Sequence, residues 1–461
     1  IVKFFKNKPD IEEEEIELIL GLDFGTSSTK IIIRDQELGS STPVQFNDSH
    51  NPYLVSTSLN RNEEGSLFID SVSKAKSLKV DFMNLNSLEE DEDISCKVVS
   101  FLASVLRHSR SWFLINNDQV YKDKKIFWRV NMGAPVGLLE AEKKTEIYKK
   151  ALDKAWQLSK KPLAEINSYK FVKQFLFSKE TDEIDYSHEV NLMISPEIAA
   201  LSLGYVKARR LDPLKPVLLL IDVGSSTLDT CIIHINDSSR TFSFWAAIIS
   251  NKGAGYLHQS RIKGLIQDVE SSSLSQNLQA LLEELTLEVE SGFLFSEVPD
   301  QVTEYIVPSV LSEDSKAIRN EENFWTAVSN QLDRELIYED DDEVPTVGVK
   351  GMIAILAKVA PLNFRDYQEN IETILCGGGS NCSFYRKIIE GFSKPTLHLN
   401  EVDIPSDLKI QRSEENPMLL MNVSYGLSYG EDWKVNYSNQ LSDIQVKISD
   451  WQDHFKEHLG K

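Results

Sequence analysis

Two stretches of this chain carry one pattern: Gly21-Leu22-Asp23-Phe24-Gly25-Thr26-Ser27-Ser28-Thr29-Lys30 and Ile221-Asp222-Val223-Gly224-Ser225-Ser226-Thr227-Leu228-Asp229. In each, an apolar run delivers one aspartate into a glycine-containing, hydroxyl-rich turn, and a second run leaves it. Ile16–Leu22 and Thr29–Arg34 read as strands joined by Asp23–Ser28. Val217–Asp222 is apolar almost throughout, as in a strand covered on both faces, and returns as Cys231–Ile235 after the turn Gly224–Thr227. Such a turn aims successive N–H groups at one spot, which suits an anion. Gly25 keeps a Cβ out of a phosphate's way, and Thr26 and Ser27 add donors. A carboxylate does not face phosphate directly, so Asp23 and Asp222 would hold the hydration shell of a shared Mg²⁺. Taken singly, each turn reads equally well as a plain hairpin. The repeat, about 200 residues on, favours two grips on one polyphosphate.

Outward from these turns, the same order of elements occurs twice: strand, turn, strand, helix, strand, helix. After the first turn, Val44–Thr57 and Ser66–Ile69 read as short strands. Ile94–Trp112 reads as an amphipathic helix with Val98, Val99, Leu102, Val105 and Leu106 on one face. Lys125–Val130 is a strand running into Gly133-Ala134-Pro135, and Leu138–Leu158 a long helix. Ser195-Pro196-Glu197 reads as a helix start, with serine as N-cap and proline at the first helical position. Two prolines in Leu211–Pro216 then reset the chain. Residues 257–345 read as mostly helical, with Leu278–Leu287 and Phe324–Ile337 the clearest pieces. Ile371–Leu375 is a last buried strand before Gly377-Gly378-Gly379, where bare backbone leaves room for an adenine ring and ribose.

Bulk properties remove several classes. The 461 residues carry a formal net charge of −22, which repels nucleic acid and anionic lipid surfaces. A bound nucleotide differs, because a local nest of N–H groups and a cation override the global field. Cys96, Cys231, Cys376 and Cys382 show neither metal spacing nor a disulfide framework. No apolar run is long enough to span a bilayer. A reducing, cytoplasmic setting is expected, with no nucleic-acid or membrane partner.

The three motifs together resemble the superfamily of actin, sugar kinases and heat-shock chaperones, most closely the nucleotide-binding domain of the heat-shock protein 70 family. The two aspartate turns look like that family's phosphate motifs, and Cys376–Asn381 like its adenosine motif. Residues 194–204 and 416–430 look like its two connecting helices. The resemblance implies an α/β, actin-like ATPase fold: two lobes, built on duplicated ribonuclease H-like cores, around a nucleotide cleft, each with a smaller subdomain. Residues 1–16 would form a tail. Lobe I would span 17–210, with its subdomain near 56–122, and lobe II 211–415, with its subdomain near 270–348. Residues 416–461 would return to lobe I and end in an amphipathic helix. The cofactors implied are ATP or ADP and Mg²⁺. Gly25, Thr26, Ser27, Ser28, Lys30, Gly224, Ser225, Ser226, Thr227, Gly253, Gly377, Gly378, Gly379 and Ser380 would contact the nucleotide, and Asp23 and Asp222 the metal. Lys74, or alternatively Lys76, would neutralise the terminal phosphate, with Asp222, Thr227 and Glu197 completing the catalytic set.

Three features depart from the family pattern. Ser225 and Ser226 replace two glycines of the second phosphate loop, and the arginine that usually follows the adenosine motif has no counterpart near Cys382. Ser195 stands where a water-orienting glutamate is usual; Glu197 lies about 200° further round a helix and so is no obvious substitute. These departures imply firm ATP binding with slow hydrolysis, and a gain in rate for Ser195→Glu. The function expected is a nucleotide-gated switch that regulates a protein partner and has no peptide-binding domain in this chain. A filament-forming ATPase and a small-molecule kinase of the same fold are the alternatives.

Overall fold

The computed structural model describes residues 15–47, 52–69, 78–135, 142–178, 187–208, 217–236, 238–250, 252–270, 316–333, 370–391, 396–400, 402–410, 417–430 and 434–437. The chain divides into two compact units, Ile1–Arg209 with Asp403–Glu431, and Arg210–Val402 with Asp432–Lys461.

In the first unit, β1 (Glu15–Phe24) hairpins onto β2 (Ser28–Asp35), which pairs onward with β3 (Ser40–Pro43) and β4 (Val55–Ser56). A separate two-strand ladder joins β5 (Asn60–Arg61) and β6 (Leu67–Phe68). On the other side of β1 lie β7 (Lys125–Ala134) and then β8 (Val190–Pro196). The order is β3-β2-β1-β7-β8, antiparallel across β3, β2 and β1 and parallel across β1, β7 and β8. The central place of β1 explains its unbroken apolar run: nearly every residue from Ile16 to Phe24 is buried.

The helix Glu92–Asn116 starts where Asp91 accepts from the N–H groups of Asp93 and Ile94. It buries Cys96, Ser100 and Ala103 as well as the expected Val98, Val99, Leu102, Val105 and Leu106. The apolar surface exceeds one stripe because this helix also packs on Leu78–Met83, Glu142–Leu158 and Tyr169–Phe177. Among the described residues of the expected strand Val44–Thr57, only Val55–Ser56 is a strand, and Phe46 N–H donates to Pro52 O at 2.8 Å.

In the second unit, β9 (Val217–Val223), β10 (Leu228–Asn236) and β11 (Thr241–Ser250) form an antiparallel run. β12 (Asn370–Cys376) lies parallel to β9, and β13 (Thr396–Asn400) parallel to β12. A short β14 (Lys434–Tyr437) lies parallel on β11. Without β14, the order β11-β10-β9-β12-β13 repeats that of the first unit, strand for strand and direction for direction. Both units are therefore α/β with a mixed sheet.

Two helices of the first unit, Glu197–Ala208 and Met418–Leu427, cross at backbone contact. A Cβ on Gly426 would lie 1.8 Å from Ala200 O, so only glycine permits the crossing. The return to the first unit begins at Asp403, before the expected 416, and Lys434–Tyr437 joins the second unit's sheet rather than the first unit. Within this return, Ser41 N–H donates to Asp407 O at 2.9 Å, and the Asp407 carboxylate pairs with Arg34 and accepts from Tyr425 at 2.7 Å. The expected C-terminal helix, Leu278–Leu287 and most of 270–348 lie outside the described residues, apart from the helix Lys316–Asp333.

Candidate functional site

The first aspartate turn closes between two buried strands. Register places Asp23 opposite Lys30, and Lys30 Nζ donates to Asp23 Oδ2 at 3.2 Å. Asp23 is 6% exposed, so the residue carries its charge into the edge of the core. Gly25 is buried; a Cβ there would meet Ser28 O at 2.3 Å, so the turn itself demands the glycine. Thr26 and Ser27 are half-exposed at the tip. Ser27 O accepts from Thr57 N–H at 3.0 Å, and Thr29 and Thr57 share a hydroxyl contact of 2.9 Å. Ser28 Oγ is buried with no hydrogen-bond partner.

Glu197 joins this corner by a route the sequence conceals. Ser195 and Pro196 are the last residues of β8, paired with Gly133 and Ala134, and the helix begins at Glu197. The N-cap assignment of Ser195 is thus corrected: its hydroxyl donates to Asn131 Oδ1 at 2.7 Å on the neighbouring strand. The helical-wheel objection to Glu197 falls with it, because 195 and 197 do not share a helix. Glu197 lies against Gly133, where a Cβ would stand 2.9 Å from its Cγ. Its carboxylate accepts from Lys79 Nζ at 2.6 Å. Burial raises the Glu197 pKa; Lys79 opposes the rise, Asp23 adds to it and Lys30 opposes it. Asp23, Lys30, Lys79 and Glu197 form one electrostatic cluster of two carboxylates and two ammonium groups.

The sequence singles out Lys74 and Lys76 rather than Lys79; both of those lie outside the described residues. Lys79 sits in the short helix Leu78–Met83 and is buried, and a buried lysine with a carboxylate partner is the signal that counts. Its partner is 118 residues away, so no local pattern discloses it.

In the second unit, register places Asp222 opposite Asp229 and Cys376. The turn Gly224–Thr227 closes through Gly224 N–H donating to Thr227 O at 2.8 Å. Its next three carbonyls all face one segment: Gly224 O accepts from Ala254 N–H (3.0 Å), Ser225 O from Gly255 N–H (2.8 Å), and Ser226 O from Gly253 N–H (3.1 Å). A trans peptide holds its C=O and N–H on opposite sides. The N–H groups of Ser225, Ser226 and Thr227 therefore point away from that segment, toward a common side. Successive N–H groups so aligned make an anion-binding concavity. Gly253 sits on the carbonyl side, where a Cβ would come within 2.6 Å of Ser225 O.

The glycine triplet packs on the same corner. Gly377 has φ +85°, and a Cβ there would lie 2.1 Å from Asp222 Oδ1. Gly379 is buried against Val223 and Ala254. At both positions the room a side chain would take is filled by protein; Gly377 and Gly378 are partly exposed and Gly379 is buried. The Ser380 hydroxyl donates to Gly377 O at 2.7 Å, bracing the 3₁₀ turn Gly378–Asn381.

Among the described residues, no group of three or more His, Cys, Asp or Glu is arranged to hold a metal directly, and no helix is long and apolar enough to cross a membrane. No family model matches the chain, and no curated protein matches it.

Proposed function

We propose that this chain binds a magnesium–nucleoside triphosphate as a two-lobed, actin-like ATPase, nearest in kind to the nucleotide-binding domain of heat-shock protein 70. One observation carries the reading. Two sheets of equal strand order and direction each place an aspartate second from the end of the first strand, just ahead of a hydroxyl-rich turn. The carbonyl arrangement of Gly224–Ser226 fits a phosphate, since it turns three N–H groups to one side.

Thr26, Ser27 and the N–H groups of Ser225–Thr227 would hold phosphate oxygens, and Asp23 and Asp222 the hydration shell of Mg²⁺. When bound, the metal neutralises phosphate charge and fixes the oxygens for displacement. Lys79 supplies a further positive charge in the same cluster as Asp23. Glu197, raised by burial, orients the attacking water and accepts its proton. Lys79 engages Glu197, so hydrolysis waits on that pair opening, and turnover is slow for this reason rather than for want of a glutamate at Ser195. A slow timer of this kind suits a switch read by a protein partner.

Limited trypsin digestion with and without Mg·ATP tests the reading. The expected result is a nucleotide-dependent slowing of cleavage. A digestion pattern indifferent to ATP, ADP and Mg²⁺ would count against it. ATP-dependent pelleting would move the reading to a filament former.

A further inference from the structure

Ser28 opens β2 and is 7% exposed, yet its Oγ has no hydrogen-bond partner. Buried hydroxyls nearly always find one, because an unsatisfied group loses its water for nothing. The hydroxyls around it are paired: Thr29 with Thr57 at 2.9 Å, and Ser56 with Ser58 at 2.9 Å. Side chains alternate along a strand, and opposed residues share a face. Asp23 opposes Lys30, and Ser28 opposes Ser56. Asp23, Ser28, Lys30 and Ser56 therefore stand on one face of the sheet, with Thr29 on the other. A Cβ on Gly25 would lie 2.3 Å from Ser28 O and 3.2 Å from Lys30 Nζ, so both close on the bare side of that glycine. Thr57 N–H donates to Ser27 O at 3.0 Å, which fastens Ser56 and its neighbours to the turn.

An ammonium has three donors, and Lys30 gives one of them to Asp23. An unused hydroxyl on the face of such an ammonium calls for an anionic acceptor. A cation is disfavoured, since both acids of this corner already hold an ammonium, Asp23 that of Lys30 and Glu197 that of Lys79. Ser56 is partly exposed, so the face meets solvent there. A serine hydroxyl turns among three staggered positions about one bond, so Ser28 Oγ needs no backbone shift to meet a ligand.

We propose that Ser28, Lys30 and Ser56 form an oxyanion site of the first unit that holds inorganic phosphate, and that product phosphate retained there slows the next turnover. The effect on turnover rests on the nucleotide reading above; the site itself does not.

Equilibrium dialysis of the intact, nucleotide-free chain against radiolabelled phosphate, at fixed ionic strength and with Mg²⁺ chelated, tests the site alone. Ser28→Ala is expected to weaken the binding of one phosphate per chain about ten- to a hundredfold, the reach of a hydrogen bond to a charged group. Its urea midpoint without phosphate is expected to equal or exceed the native one, because an unpaired hydroxyl is lost. Ser56→Ala, at a partly exposed position, is the second variant and is also expected to weaken binding. A lowered midpoint in Ser28→Ala, or phosphate affinity unchanged in both variants, overturns the proposal. In turnover, added phosphate is expected to inhibit the native chain, and Ser28→Ala only at about tenfold higher concentration; equal inhibition overturns the regulatory role. Mg·ATP binding without phosphate binding overturns the site and keeps the nucleotide reading. Phosphate binding that Ser28→Ala abolishes, in a chain that binds no Mg·ATP, keeps the site and discards the ATPase.

Discussion

Lys79 Nζ stands 2.6 Å from Glu197 Oε1, joining a buried lysine on a short helix to the first residue of the helix after β8. Removing one partner of such a pair strands the other. Lys79→Met is therefore expected to cost about 3 kcal/mol in urea unfolding. Glu197→Gln is expected to keep nucleotide affinity and to slow phosphate release by roughly 10²–10⁴-fold, the span of a general base. Equal turnover in Glu197→Gln and the native chain would remove Glu197 from the mechanism.

Ser195→Glu, expected from sequence to speed hydrolysis, is now expected to leave turnover no faster. Ser195 ends a strand and is tied to Asn131, so a longer acidic side chain there breaks a strand contact without replacing Glu197. A rise in kcat would restore the position to the active set.

The difference between these expectations marks what the sequence discloses. The hairpins at Asp23 and Asp222 were legible because central strands are apolar at every position, and glycine with hydroxyls punctuates their turns. Ser195-Pro196 misled because the cap-then-proline signal of a helix start also fits a strand that ends on proline, whose missing N–H costs least at an element's edge. The alternation Val190, Leu192, Ile194 is the competing strand signal in the same stretch. Lys79 was illegible, since pairing over such a separation depends on the folded chain.

Gly377 and Gly39 give a graded test of backbone demand. Both have positive φ, but a Cβ on Gly39 meets nothing within 4 Å, whereas on Gly377 it collides with Asp222 Oδ1. Gly39→Ala is expected to cost about 1 kcal/mol, from backbone strain alone. Gly377→Ala is expected to cost about 2–4 kcal/mol, strain plus overpacking, and to weaken Mg²⁺-dependent nucleotide binding by displacing Asp222. Equal losses at the two sites in chemical denaturation would contradict this.

Asp407 sets an acid dependence. Burial alone would raise its pKa, but hydrogen bonds from Tyr425 and Arg34 and the charge of Arg34 bring it below the ordinary 3.8. A depressed carboxylate stabilises the fold above its unfolded pKa and loses that contribution as pH falls through its folded value. Asp407→Asn is therefore expected to be less stable by about 2 kcal/mol at pH 7, the scale of a charged hydrogen bond. That gap should close as pH drops below 3.8. A gap constant from pH 7 into the acid range would refute the assignment.

All four cysteines are free and buried, with Cys96 pushed up to about 12 by burial and Cys231 and Cys376 well above the usual thiol range. Native protein at pH 8 is expected to react slowly with Ellman's reagent, and guanidinium-unfolded protein to release four equivalents at once. Rapid labelling of the native chain would show that these thiols are not held as described.

Calorimetric titration of Mg·ATP into the intact chain, Asp23→Ala and Asp222→Ala bears on the whole reading. One nucleotide per chain is expected, with each substitution weakening binding about tenfold or more when Mg²⁺ is present and little when it is chelated. Absence of binding, or full affinity in either variant, would contradict a nucleotide shared by the two aspartate turns.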